Sequence, residues 1–278
     1  MQSCVLCGSA DVPATREHVI PAWARRSFDI QGPVTVDRRD WPAAGPLVRV
    51  GKIQHLNITL DEAICKDCNT VWLNQLEREV RPFLAPMAAS AKPTTLDSRR
   101  QALLATWAVK TVLLFELAMR QMYPGGRPIR GYLASPSELA WLRANREPPP
   151  RSLVWLSCWD CQQATPVMYA PSSAPLPTAD DSPVAGHFAT FALGYVGLQV
   201  FTVDFVAADQ HRAASWNTKV PSQLTGALIR IWPQLPLVSK ISWPPQAFAK
   251  EDWNRLVTWD GALRQGNGPD ERDSNDHG

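Results

Sequence analysis

"CKDCNTVWLNQLE", residues 65–77, decides how this chain is read. A Cys-x-x-Cys pair, Cys65 and Cys68, runs directly into Asn69 and then into an amphipathic pattern. Trp72, Leu73, Leu76, Val80 and Leu84 recur at three-to-four-residue spacing, which is one buried face of a helix. The proline of "RPFLAP" is expected to end that helix. Asn69 is then open to two roles. It is a good helix N-cap, and its side-chain carbonyl is also a hard oxygen donor suited to a divalent ion. Its partners elsewhere decide between them.

All six cysteines fall into Cys-x-x-Cys pairs: Cys4/Cys7, Cys65/Cys68 and Cys158/Cys161. The N-terminus "MQSCVLCGSA" lacks the basic start and long apolar run of a secretory signal, so a cytoplasmic, reducing location is expected. There, paired thiols read as metal ligands before disulfides. Cys4, Cys7, Cys65 and Cys68 match a tetrahedral structural zinc site; two unrelated buried pairs are the rival reading. Four thiolates leave no position for water, so such a zinc holds the fold and performs no chemistry. Cys158 and Cys161 sit in a strand-like run, where positions three apart face opposite ways. They read as structural cysteines, with a second zinc half-site closed by His187 or His211 as the alternative. Local contacts are the expected role of those two histidines, and His277 lies in the tail.

The 278 residues suit one large domain or two modest ones, and 45% hydrophobic residues allow a real core. Net charge is only +2, with 13 Lys/Arg against 11 Asp/Glu in residues 1–100. A nucleic-acid footprint would therefore have to be local. The most apolar run, 101–119, is interrupted by Lys110 and Glu116, which fits a buried helix better than a membrane span.

Residues 31–54, rich in Pro, Gly and Arg, read as an extended loop or weak hairpin. A second helix is expected from about Asp97 to Met122. A third opens at "SPSE", with Ser135 as N-cap, Pro136 at the first helical position and Glu138 completing a capping box. After "REPPPR" the pattern turns to β-branched and aromatic runs: "SLVWLSCW", "ATPVMYA", "HFATFALGYVGLQVFTVDFV" and "ALIRIWPQL". A closing helix is expected at 246–260 and a disordered polar tail at 264–278. The fold class is α+β. Its units are 1–90, a helical and then β-rich portion at 91–263, and the tail.

Cys4-x-x-Cys7, "EHVIP" at 17–21 and "CKDCN" at 65–69 together resemble the HNH (ββα-metal) endonuclease superfamily, in its four-Cys zinc variant. The likeness covers about residues 1–85. It implies a treble-clef zinc module and metal-dependent hydrolysis of DNA phosphodiester bonds. His18 would be the general base, its ordinary pKa suiting proton acceptance near neutrality. Glu17 and Asn69 would hold a catalytic Mg²⁺ or Mn²⁺. The family's middle residue, which orients the base, maps to Asn57 or His55. DNA is the implied partner, a membrane is not, and the oligomeric state is open.

Each residue has a plainer reading beside this one. Glu17 can be a solvated surface charge, and His18 a core histidine. Glu17 and His18 are also strand neighbours, expected to point to opposite faces. Arg16, Arg25, Arg26, Arg38, Arg39, Arg49 and Lys52 can bind phosphates or form a mixed surface with Asp29, Asp37 and Asp40. Trp23 and Trp41 can stack on bases, with buried packing favoured. The alternative to the enzyme is a non-catalytic zinc module that binds nucleic acid or a protein.

Overall fold

The computed structural model describes residues 3–10, 13–27, 34–38, 48–53, 58–122, 134–159, 167–215, 227–234, 239–245 and 247–248. The architecture is α+β. Strand β1 (Ala14–His18) is followed by α1 (Ala22–Ser27), β2 (Val34–Arg38), β3 (Val48–Ile53) and β4 (Thr59–Cys65). A π-helical segment, Cys68–Leu73, runs without a break into α2 (Asn74–Ser90). Then come β5 (Thr94–Asp97), α3 (Ser98–Met122) and α4 (Pro136–Asn145). The C-terminal half supplies β6 (Leu153–Trp159), β7 (Val167–Leu176), β8 (Val184–Leu193), β9 (Val196–Val203), α5 (Phe205–Gln210), β10 (Leu228–Trp232), β11 (Lys240–Trp243) and β12 (Ala247–Phe248).

The buried face expected for the first helix is present: Trp72, Leu73, Leu76, Val80 and Leu84 are all buried. The helix does not stop at a proline, however. It passes through Pro82 and Pro86 and ends at Ala91, whose φ of 49° is left-handed. Each proline removes one helical hydrogen bond. Continued burial of Phe83, Leu84, Met87 and Ala88 outweighs that loss. Helix α3 begins and ends as the pattern anticipates. It is long and apolar enough to cross a membrane, yet 78% of its most apolar window is buried inside the fold. Helix α4 has the full capping box: Ser135 accepts from the Glu138 amide, and Glu138 accepts from that of Ser135.

Strands β10-β6-β9-β8-β7-β2-β3 form one sheet in that order, with β12 added beside β6. Strands β6 and β9 are buried along their whole length. Alternate residues feed two layers. Val154, Leu156, Phe191, Leu198 and Val200 pack toward α3, where Trp107 meets Phe191 at 5.9 Å and Phe115 stacks on Tyr169 at 4.1 Å. Trp155, Trp159, Phe188 and Phe201 form the core of the opposite face. The 31–54 stretch contains a hairpin, β2–β3, and β2 joins this sheet by parallel pairing of Val36 with Tyr169. Two expectations shift. The strand at "TVDFV" ends at Val203, because Asp204 caps α5 by accepting from the Val206 and Ala207 amides. At 247–248 the chain is strand β12, not helix; the rest of the expected closing helix and the tail lie outside the described residues.

Candidate metal centre and adjoining cleft

The N-terminal Cys pair lies in a turn tied back on itself: Cys4 N–H donates to Ser9 O and Gly8 N–H to Cys4 O. Gly8 takes a positive φ of 73°, a conformation glycine adopts at no steric cost. Val5 N–H bonds Ala63 O, which sets this turn against the end of β4. The second pair spans the β4-to-helix junction. The Sγ atoms of Cys4, Cys7, Cys65 and Cys68 all lie within 4.8 Å of one another, and Cys7 and Cys65 are 3.8 Å apart. Zinc–sulfur bonds of about 2.3 Å in a tetrahedron give edges of about 3.8 Å, so the donor set fits zinc. Backbone amides point at the sulfurs, Cys65 N–H at Cys4 and Cys68 N–H at Cys65. Burial opposes ionisation of Cys7, but its hydrogen bonds with Ser9 prevail and bring the thiol to about 6. Burial pushes Cys65 and Cys68 up, and the Arg143 guanidinium from α4 works against this at Cys68. A bound dication removes the thiol protons outright.

Beside this cluster the antiparallel β1–β4 pair is irregular. Thr15 faces Ile64, but Glu17 faces Leu60, so three residues of β4 oppose one of β1. Glu62, inside that excess, has φ 55°. Bulges of this kind bend and twist a ladder. Although they are strand neighbours, Glu17 and His18 both line one open cleft of about 340 Å³, and Asn69 lines it from the helix. The three side chains named from the sequence thus share one cleft with eight other lining residues. The middle residues Asn57 and His55 lie outside the described residues.

Asn69 is not the helix cap. The segment starts after Asp67, whose side chain makes no capping bond. Asn69 Nδ2 instead crosses to β1, donating to Thr15 Oγ1 at 2.8 Å and to Arg16 O at 3.2 Å. These two bonds use the nitrogen of the amide and not its oxygen. Glu17 is 8% exposed. Burial raises its carboxyl from 4.5 to about 7, against the attraction of Lys110, with the Glu77 charge adding to the rise. A carboxylate and an amide oxygen on one cleft are hard donors that fit Mg²⁺ or Mn²⁺.

The part of the site that sequence reasoning missed lies beneath it. Lys110 is fully buried, with Nζ 2.9 Å from Glu77 Oε1 and 4.0 Å from Glu17 Oε1. Glu77 also accepts from Trp107 Nε1 and Trp23 Nε1, each at 2.8 Å. Trp23 is therefore packed and hydrogen-bonded, as the plainer reading had it. The interruption of an apolar helix by Lys110 was a legible signal, since a buried ammonium demands a carboxylate; which carboxylate was not legible. Arg26 and Arg81 stand exposed at the cleft's edge. Arg16 is held by Asp61 at 2.8 Å. The side chains of Arg25, Arg38, Arg39, Arg49 and Lys52, and Trp41, lie outside the described residues.

Away from the cleft, His187 is fully buried, 3.5 Å from Glu116 Oε1, and burial pushes it down to about 3. Tyr169 donates to the same carboxylate. His211 pairs with Asp180 at 2.8 Å. Both histidines have the local contacts expected of them. Cys158 is buried, and Cys161 lies outside the described residues. Comparison of the chain with protein-family models, curated proteins and solved structures found no match.

Proposed function

We propose that this chain is a metal-dependent endonuclease of HNH type, with a treble-clef zinc module, acting on DNA. The observation that carries the reading is that the neighbours Glu17 and His18, and Asn69 far along the chain from them, line one open cleft next to a four-sulfur cluster. The order strand, strand, helix around that cluster supports it too. Cys4, Cys7, Cys65 and Cys68 hold structural zinc. The Glu17 carboxylate and Asn69 Oδ1 hold Mg²⁺ or Mn²⁺, which when bound supplies charge stabilisation for the leaving oxygen. His18 accepts the proton of the attacking water. Asn69, anchored through Nδ2 to β1, keeps its oxygen aimed into the cleft without a rotamer search. Arg26 and Arg81 offer charge to the backbone phosphates.

The test is cleavage of duplex, branched and single-stranded DNA by the full chain with Mg²⁺ or Mn²⁺. His18→Ala is expected to abolish nicking while zinc content and melting stay nearly unchanged. No cleavage on any of the three substrates removes the enzyme reading.

A second reading is favoured by one observation: Glu17 is buried beside Lys110, and the Asn69 amide is engaged in bonds within the fold. That suits a zinc module that binds nucleic acid or a protein without cutting. Binding that survives EDTA and ignores Glu17→Ala supports it.

A further inference from the structure

Helix α3 packs on the large sheet, outside the strand–strand–helix unit that carries the cleft, yet it delivers a charge to the cleft floor. Lys110 Nζ is 2.9 Å from one Glu77 oxygen and 4.0 Å from Glu17 Oε1. The Glu77 carboxylate has three donors: the ammonium and two indole N–H groups. That carboxylate is committed to the protein. Both carboxylates line the cleft, but Glu17 faces the same ammonium at the longer distance.

We infer that Lys110 is a positioning residue that sets the charge of the cleft, binding Glu77 down and leaving Glu17 as the carboxylate presented to an ion. The inference rests on the reading of the cleft as a divalent-ion and phosphodiester site. Once an ion has drawn the proton from Glu17, two ionised carboxylates and one ammonium make a floor of charge −1. A dication turns this to +1, which one phosphodiester neutralises. Without the ammonium, the loaded floor is neutral, and attraction for the backbone is left to Arg26 and Arg81 at the edge. Lys110 therefore weakens ion binding and strengthens phosphodiester binding. Loosened packing would weaken both, so the opposite signs are diagnostic.

The experiment uses the full zinc-loaded chain and Mn²⁺, with free ion measured by its EPR signal. Lys110→Gln keeps an amide donor for Glu77 and removes the charge. It is expected to bind Mn²⁺ about tenfold more tightly or better, since a neighbouring unit charge costs a dication about that much even at the dielectric constant of water. Its binding to a non-cleavable phosphorothioate duplex in saturating Mn²⁺ is expected to fall. Glu77→Gln leaves the ammonium to Glu17 alone and is expected to weaken Mn²⁺ binding by a similar factor. Zinc content and near-UV circular dichroism report folding, and Glu77→Gln, at a half-buried position, carries the test if Lys110→Gln does not fold. Mn²⁺ affinity unchanged or reduced in folded Lys110→Gln, or unchanged in Glu77→Gln, overturns the inference while leaving the proposed function standing. A wild-type chain that binds no Mn²⁺ overturns both.

Discussion

Asn69 Nδ2 lies 2.8 Å from Thr15 Oγ1, and that hydroxyl donates onward to Ile64 O at 3.0 Å. One short chain of bonds thus joins the helix, β1 and β4 at the mouth of the cleft. Thr15→Val keeps the shape and removes both bonds. It is expected to cost about 1–2 kcal/mol in urea denaturation without changing zinc stoichiometry. An unchanged midpoint would show that water replaces the hydroxyl at no cost.

The sulfur cluster closes a loop between Cys7 and Cys65. Elemental analysis is expected to find one zinc per chain. Cys68→Ser, removing a ligand that is 1% exposed, is expected to lose most of that zinc and lower the melting temperature steeply. Structural zinc contributes on the order of 10 kcal/mol to small domains. Full zinc retention in Cys68→Ser would contradict a four-sulfur site.

Glu17 is expected to cost stability in the absence of a divalent ion. Its carboxyl is raised from 4.5 to about 7 by burial, so the folded state holds the proton more tightly than the unfolded one. The penalty is absent below pH 4.5, grows as pH rises to about 7, and is complete above that. Glu17→Gln should therefore be more stable than wild type by about 3 kcal/mol at pH 8, with the gap narrowing toward pH 5.5. Urea midpoints in EDTA-free, Mg²⁺-free buffer at the two pH values check this. A gap that does not depend on pH would show that the carboxyl is not perturbed.

Ser135→Ala is expected to cost about 1 kcal/mol or somewhat more. The Glu138 amide would lose its cap, and the buried Glu138 carboxylate, which also accepts from Thr202, would lose the Ser135 hydroxyl. A loss within a few tenths of a kcal/mol would mean the cap is redundant.

What could be read from the chain divides by range. The Ser135–Glu138 box was legible because four consecutive positions contain all its chemistry. The four cysteines were legible because metal ligation leaves a spacing. Glu17, His18 and Asn69 could be singled out as candidates through that same frame, but not that two strand neighbours line one cleft. Nor was the β4 irregularity around Glu62 legible, since nothing in the residue type announces a positive φ. The helix through Pro82 and Pro86 is not legible from local propensity, because the burial of Phe83 and Met87 overrides it. The Lys110–Glu77 bond and the entry of β2 into the large sheet are long-range pairings, for which one chain carries no local mark.

The pairing of Val36 with Tyr169 joins positions more than 130 residues apart, the first inside the span that the sulfur cluster closes and the second far beyond it. During synthesis the cysteine knot can form once Cys68 has left the ribosome, but β2 must wait for β7. Such distant contacts slow folding, because chain entropy is lost before the contact is gained. Zinc taken up at the four sulfurs would fasten this quarter before its hairpin gains a neighbour in the sheet.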